Sequence, residues 1–294
     1  VVLAAMAAVV ALSVAAMTSW RADAAARAAE REAAARAAER AVERAIVVST
    51  AGAVERSHGD GWARVSAGDV LDVPDAVRTG AGATAEIALG GGARVAVAER
   101  SELSVREINA AVQRLGLVRG RLAVQGGQNG RRLRVESDTG EIAASAPGGR
   151  WGVVAGAGSL AVAATDATVR VESAGAAVDV APGQQATAWR GRAPLAPTPV
   201  PREVLLRVAN ALQKRYDGLC AIVQGTVDPA SEVLVDGRAV EVGADGRFVA
   251  RVARGPRPSV LVEVRHVAGG VERRTVPCED DANVSAFEVQ WNAR

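Results

Sequence analysis

Apolar and polar residues alternate with a period of two in Ala85-Glu86-Ile87-Ala88-Leu89, Arg94-Val95-Ala96-Val97 and Glu102-Leu103-Ser104-Val105. That period belongs to a half-buried strand, so Ile87, Leu89, Val95, Val97, Leu103 and Val105 are placed on one side of a sheet. Gly90-Gly91-Gly92 and Glu99-Arg100 separate the runs. Short strands that turn this sharply suit a roll or a solenoid of stacked rungs. A second set of strands is expected at 133–136, 141–145, 151–154, 159–163, 168–171, 177–180 and 185–188.

The pattern differs at both ends of this region. Residues 1–19 are an apolar run whose polar members are Ser13, Thr18 and the closing Ser19. As a helix rising 1.5 Å per residue, the run would span roughly 30 Å, enough to cross a bilayer. Trp20 and Arg21 follow, an aromatic and a charge suited to the headgroup level. A cleaved secretory signal is the alternative. The chain opens on Val1, so an upstream segment is expected. Residues 21–46 are mostly alanine, arginine and glutamate, all strong helix formers. Glu32/Arg36 lie at i,i+4 and Arg27/Glu30, Arg36/Glu39 and Arg40/Glu43 at i,i+3. With no broad apolar stripe, such a helix reads as a solvated spacer or as a weak self-association helix packed through alanines.

Pro194, Pro197, Pro199 and Pro201 mark a stiff linker. Beyond it Leu205, Val208 and Leu212 stand at helical spacing. Residues 220–291 then read as about seven strands, the number expected of an immunoglobulin-like sandwich. Asp236-Gly237 is the strongest hairpin signal in the chain, because a type I′ turn needs positive φ at both central positions. Asp245-Gly246 marks another turn, before Phe248, Ala250 and Val252. The expected organisation is a transmembrane helix (1–20), a helical stalk (21–46), a β roll or solenoid domain (47–192), a proline-rich linker (193–201), a connecting helix (202–216) and a sandwich (217–294).

Composition narrows the function. The 35 basic and 33 acidic residues are interspersed, giving a net charge of +2, and no basic patch of the kind a nucleic acid requires stands out. His58 and His266, the two histidines, lie in different expected domains, with no serine or carboxylate in a triad arrangement beside them. Gly80-Ala81-Gly82 and Gly156-Ala157-Gly158 open no helix after a strand, so they are turns and not phosphate loops. Asp72/Asp75 and Glu279-Asp280-Asp281 lack the ligand spacing of a calcium loop. No catalytic residue, cofactor site or metal site is assigned. Cys220 and Cys278 frame the C-terminal module. Paired, they would close a loop of about 58 residues and remove roughly 4 kcal/mol of unfolded-chain freedom. Two unrelated buried thiols are the alternative; a disulfide is preferred and would place the module in an oxidising compartment. Tryptophan either fills a core or anchors a partner. Trp62 is assigned to the core, while Trp151 and Trp189 stay open as partner-binding residues.

The order of elements from Gly52-x-Val54 through Gly61-Trp62-x-x-Val65, Gly68-Asp69-Val70-Leu71, Val77-Arg78-Thr79-Gly80 and Leu115-x-Leu117-x-x-Gly120-x-Leu122 resembles the FecR domain family. The likeness extends more loosely through Thr187, and Ala181-Pro182-Gly183-Gln184 matches the family's late Gly-Gln turn. Where the family often carries a Thr-Pro step and a Gly-Thr before an aromatic, this chain has Ser137-Asp138-Thr139 and Gly148-Gly149-Arg150-Trp151. The pieces 225–229 and 245–248 look like bacterial Ig-like modules. The resemblance implies a non-enzymatic inner-membrane protein, single-pass, with its bulk periplasmic. Its expected role is envelope sensing or transmembrane regulation through protein binding. The implied partner is an outer-membrane receptor or a sigma/anti-sigma system. A cell-envelope scaffold or polysaccharide-binding protein is the alternative.

Overall fold

The computed structural model describes residues 44–59, 61–109, 111–127, 130–156, 158–202, 206–210, 222–252 and 259–277. Clustering divides the chain between Arg44 and Ala45, and Ala45–Arg294 is one compact unit. The described chain is almost entirely strand. Its first part contains β1 (Ala45–Ala51), β2 (Val54–Ser57), β3 (Trp62–Arg64), β4 (Val70–Leu71), β5 (Ala76–Thr79), β6 (Thr84–Ala88), β7 (Arg94–Val97) and β8 (Glu102–Ile108). The long β9 (Val112–Gly126) follows, then β10 (Arg132–Ser137), β11 (Ile142–Ala146), β12 (Gly149–Gly156), β13 (Ser159–Ala164), β14 (Val169–Ser173), β15 (Ala176–Val180), β16 (Gln184–Trp189) and β17 (Thr198–Pro199).

These strands form one continuous 17-stranded sheet folded into two layers. One layer runs β4-β1-β6-β7-β9-β12-β13-β16-β17. The other runs β3-β2-β5-β8-β9-β10-β11-β14-β15. Strand β9 belongs to both. Its first half pairs with β8 and β10 and its second half with β7 and β12. The inward residues change parity along it, from Leu115 and Leu117 to Leu122 and Val124, with the register against β8 shifting between Glu102 and Leu103. Gly120 lies between the two pairs at φ 91°, where an added Cβ would come within 2.6 Å of Ser101 Cα. Glycine satisfies both demands: it adopts positive φ without a Cβ penalty and lets the facing backbone close in.

The seven strands expected between 133 and 188 appear as β10–β16. Ile87, Leu89, Val95, Val97, Leu103 and Val105 are all buried in one core. They reach it from both layers: β6 and β7 lie in one and β8 in the other, so the shared side of the alternation is the space between two sheets.

A second core, with Val223, Val233, Phe248, Val260, Val262 and Val264 at its centre, lies between two further antiparallel sheets. Strands β18 (Leu206–Asn210), β19 (Ile222–Val227) and β22 (Arg247–Arg251) make the sheet β18-β19-β22. Strands β20 (Ser231–Val235), β21 (Arg238–Val240), β23 (Ser259–His266) and β24 (Val271–Pro277) make the sheet β21-β20-β23-β24. Asp236 and Gly237, between β20 and β21, have φ 47° and 76°, the two positive values of the expected tight turn.

Several expectations are corrected. Among the described residues no helix is long and apolar enough to cross a membrane, and the sole helical element there is the short 3-10 turn Gly90–Gly92. An N-terminal transmembrane helix, anchoring to the inner membrane through it and a single-pass topology therefore have no counterpart in the described structure; residues 1–43 lie outside it. The stalk expected to run to Ile46 is overturned at its end. Ala45 and Ile46 open β1 and pair with β4, because buried Ala45 and Val47 follow period two rather than helical spacing. The connecting helix 202–216 is overturned where it is described: Leu206–Asn210 is a strand paired along its length with β19, and tertiary pairing outweighs a weak helical spacing. The disulfide Cys220–Cys278 likewise has no counterpart among the described residues, outside which both cysteines lie.

Candidate functional site

The outer faces of the two layers differ in chemistry. On the layer containing β10, outward positions carry a ladder of opposite charges across strands. Arg106 pairs with Glu136 at 2.9 Å, Arg134 with Glu136 at 2.8 Å and with Glu172 at 2.7 Å, and Arg170 with Glu172 at 3.2 Å and Asp179 at 3.4 Å. Burial pushes the Glu136 carboxyl up, but hydrogen bonds from Arg134 and Arg106 outweigh it and hold Glu136 below the usual carboxylate range. The ladder runs from buried Glu136 out to solvated Arg170 and Asp179.

The opposite outer face carries a row of mostly small residues across its strands. Residues in register across the strands are Glu86↔Ala96, Ala96↔Ala123, Ala123↔Gly152, Gly152↔Ala163 and Ala163↔Gln185. At one end of this row the second core docks. Val154, Ala161 and Ala163 pack on Ala230 and Val267, Val267 lying in the β23–β24 turn. Gly152 makes the approach possible, since a Cβ there would lie 2.5 Å from the Val267 carbonyl oxygen. We predict that Gly152→Val weakens docking by about 1–3 kcal/mol while leaving both cores intact. Scanning calorimetry should then resolve the two cores as separate transitions, and a single transition at the unchanged temperature would contradict the contact.

Polar groups surround this docking contact. Arg265, 4% exposed, reaches Glu99 Oε1 at 2.7 Å, donates through Nε to Glu263 Oε1 and lies 3.8 Å from Glu232 Oε2. Glu232 is 7% exposed, its Oε2 has no hydrogen bond, and burial pushes its carboxyl above the usual range. Arg121 is lowered by burial and then by Arg265, and its Nη1 is buried without a hydrogen-bond partner. Arg100 donates to the Gly237 carbonyl at 3.0 Å, and Gln185 Nε2 donates to both Asp228 oxygens at 3.1 Å. His266 Nε2 lies 3.7 Å from Asp228 Oδ1, beyond hydrogen-bond distance. Burial raises Asp228, but His266, the Ala230 N–H and Gln185 outweigh it and hold the carboxyl low.

Beside the docked turn the face stays open as a groove of about 740 Å³. Ala96, Ala123 and Gly152 lie along its floor, Arg94, Gln125, Arg150 and Arg121 along its banks, and Val267 to Gly269 close one end.

The expected site residues fall in different places. Trp151 is 2% exposed in the first core. Trp189 is buried where the two cores meet and donates from Nε1 to the Val242 carbonyl at 3.4 Å, so the surface it touches belongs to the same chain. Trp62, expected in the core, is half-buried outside it with the Arg78 guanidinium 4.1 Å from its ring centroid. Its strand β3 has a partner on one side only, which exposes the ring. Both histidines meet carboxylates that the sequence reading did not give them. His58 Nδ1 is 2.6 Å from Asp75 Oδ1, while Asp75 Oδ2 accepts the Asp72 N–H at 3.0 Å. Asp75 is thus engaged through both oxygens. Among the described residues no group of three or more His, Cys, Asp or Glu is arranged to hold a metal ion.

Residues 75–184, from the approach to β5 to the first residue of β16, match the family described as FecR protein. This FecR-domain region supports a general envelope-signalling role. A solved structure from Parabacteroides distasonis, described provisionally as an anti-sigma factor, is 13% identical, with a TM-score of 0.37. The alignment covers 42% of this chain and 59% of that one, a likeness too slight to bear on function. No curated protein matches the chain.

Proposed function

We propose that this chain acts in envelope signalling as a non-enzymatic FecR-domain protein that binds a protein partner. The observation that carries the reading is the open groove on a FecR-type domain, a concave surface lined by binding groups and lacking a nucleophile, base and orienting group in sequence. Recognition there is a matter of shape and charge. The opposite face is already satisfied by its own ladder of ion pairs and offers a partner only charges that are matched.

Ala123 is exposed at the middle of the floor, so tryptophan there fills the groove without entering either core. In the source bacterium, chromosomal Ala123→Trp is expected to shift transcription of the genes under one alternative sigma factor at least threefold, with the abundance of the chain unchanged. Equal transcription in both strains across every sigma regulon would defeat the signalling role and favour a scaffold.

A further inference from the structure

We propose that the groove receives an extended acidic segment of the partner protein, its carboxylates lying between Arg94, Arg150 and Arg121. The inference rests on the protein-binding reading above and names the chemistry of the partner.

The floor sets the mode of binding. Ala96, Ala123 and Gly152 belong to one register row across β7, β9 and β12, so no side chain rises between the banks. Each of these strands is already paired on both sides. An incoming chain therefore cannot join the ladder here, and side chains must do the recognising. The adjacent row is Arg94↔Gln125 and Gln125↔Arg150, which raises two guanidinium groups and an amide along one bank. Arg121 stands on the other.

Charge selects the ligand. The ionised groups lining the groove are Arg94, Arg121 and Arg150 against Glu86 alone. Glu86 engages Arg94 at 2.6 Å, and Asp166, behind the bank, engages Arg150 at 2.7 Å. Arg121, at the inner edge of the groove, shares Glu99, Glu232 and Glu263 with Arg265, and its buried Nη1 has no hydrogen-bond partner among the described residues. A carboxylate arriving from solvent would meet Arg94 and Arg150, whose side chains are 50% and 64% exposed. Arg94 and Arg150 lie two strand spacings apart, about 10 Å, a separation that carboxylates two or three residues apart on an extended chain span. A sugar polymer is disfavoured because no aromatic face lies open on the floor, Trp151 being turned into the core.

The test uses the full chain and three probes: a fluorescein-labelled decapeptide of alternating glutamate and valine, its lysine counterpart, and polygalacturonate as a polyanionic sugar. The glutamate peptide is expected to bind by fluorescence anisotropy, to weaken as salt rises, and to outcompete polygalacturonate, while the lysine peptide does not bind. Ala123→Trp and Arg150→Glu should each reduce affinity at least tenfold with the melting temperature unchanged. The proposal is overturned if the glutamate peptide does not bind at millimolar concentration, if polygalacturonate binds more tightly, or if Ala123→Trp binds as well as the parent chain. Failure of the peptide together with a transcriptional effect of Ala123→Trp would remove the acidic segment alone. Failure of both would remove the protein-binding role as well.

Discussion

Gly120→Ala is expected to lower stability by about 2–5 kcal/mol, combining about 1–2 kcal/mol for a side chain held at positive φ with about 1–3 kcal/mol for overpacking. The site allows little escape. The added methyl would face the Ser101 backbone at 2.6 Å, and the Ser101 hydroxyl already accepts from the Arg121 N–H at 3.0 Å. Moving either segment disturbs both layers, because β9 pairs with four strands around this bend. Urea denaturation should show a lower midpoint with an unchanged slope. A midpoint equal to that of the parent chain would mean that the bend tolerates a side chain and that its glycine is incidental.

Arg265→Met should cost about 3–5 kcal/mol, since it removes the cation from a buried cluster and leaves carboxylates behind. Glu99, Glu263 and Glu232 all lose a partner. The loss should depend on pH in a definite direction. Burial holds the folded Glu232 carboxyl above its ordinary value, so between the unfolded and folded values the folded chain keeps a proton that the unfolded chain has released. The contribution of this group therefore falls as pH rises through its folded pKa. Without Arg265, which opposes that shift, the effect grows, and the deficit of the variant should be smaller at about pH 5 than at about pH 8. Glu136, Glu172, Asp228 and Glu263 act in the opposite sense. Their folded pKa values are held low, so their stabilisation is present above the ordinary carboxylate range and disappears as pH falls through the folded values. Equilibrium unfolding of both chains at the two pH values measures the difference. A deficit below about 1 kcal/mol at neutral pH would show the cluster to be a solvated surface network.

Strands were legible in the sequence because their signal is local. Alternation located β10–β16, and Asp236-Gly237 announced its turn through the backbone conformation it requires. Even the bend in β9 left a trace, as the spacing Leu117-x-x-Gly120-x-Leu122 breaks the period of two. Alternation does not say which layer a strand joins, so β8 could not be separated from β6 and β7. The helical spacing of Leu205, Val208 and Leu212 was overridden by the pairing of β18 with β19, a contact invisible to a one-dimensional pattern. The groove had a readable sign: the middle outward positions of β7, β9 and β12, Ala96, Ala123 and Gly152, are small between arginine and glutamine neighbours, whereas the outward positions of β10 and β14 hold arginine or glutamate throughout. Small outward residues mark a face that something approaches. The meeting of Arg265 with Glu99 joins residues far apart along the chain, and nothing in the spacing of either foretold it.

The seven residue pairs joining β12 to β9 hang from the same backbone that, a few residues earlier, seals the charged layer to β8 and β10. Prying the groove open along that seam would tug on the far side of the domain through covalent bonds, with no relay of side chains needed. A partner seated there presses on both layers through one strand, beside the edge of the trough where the second core rests on Gly152 and Ala163.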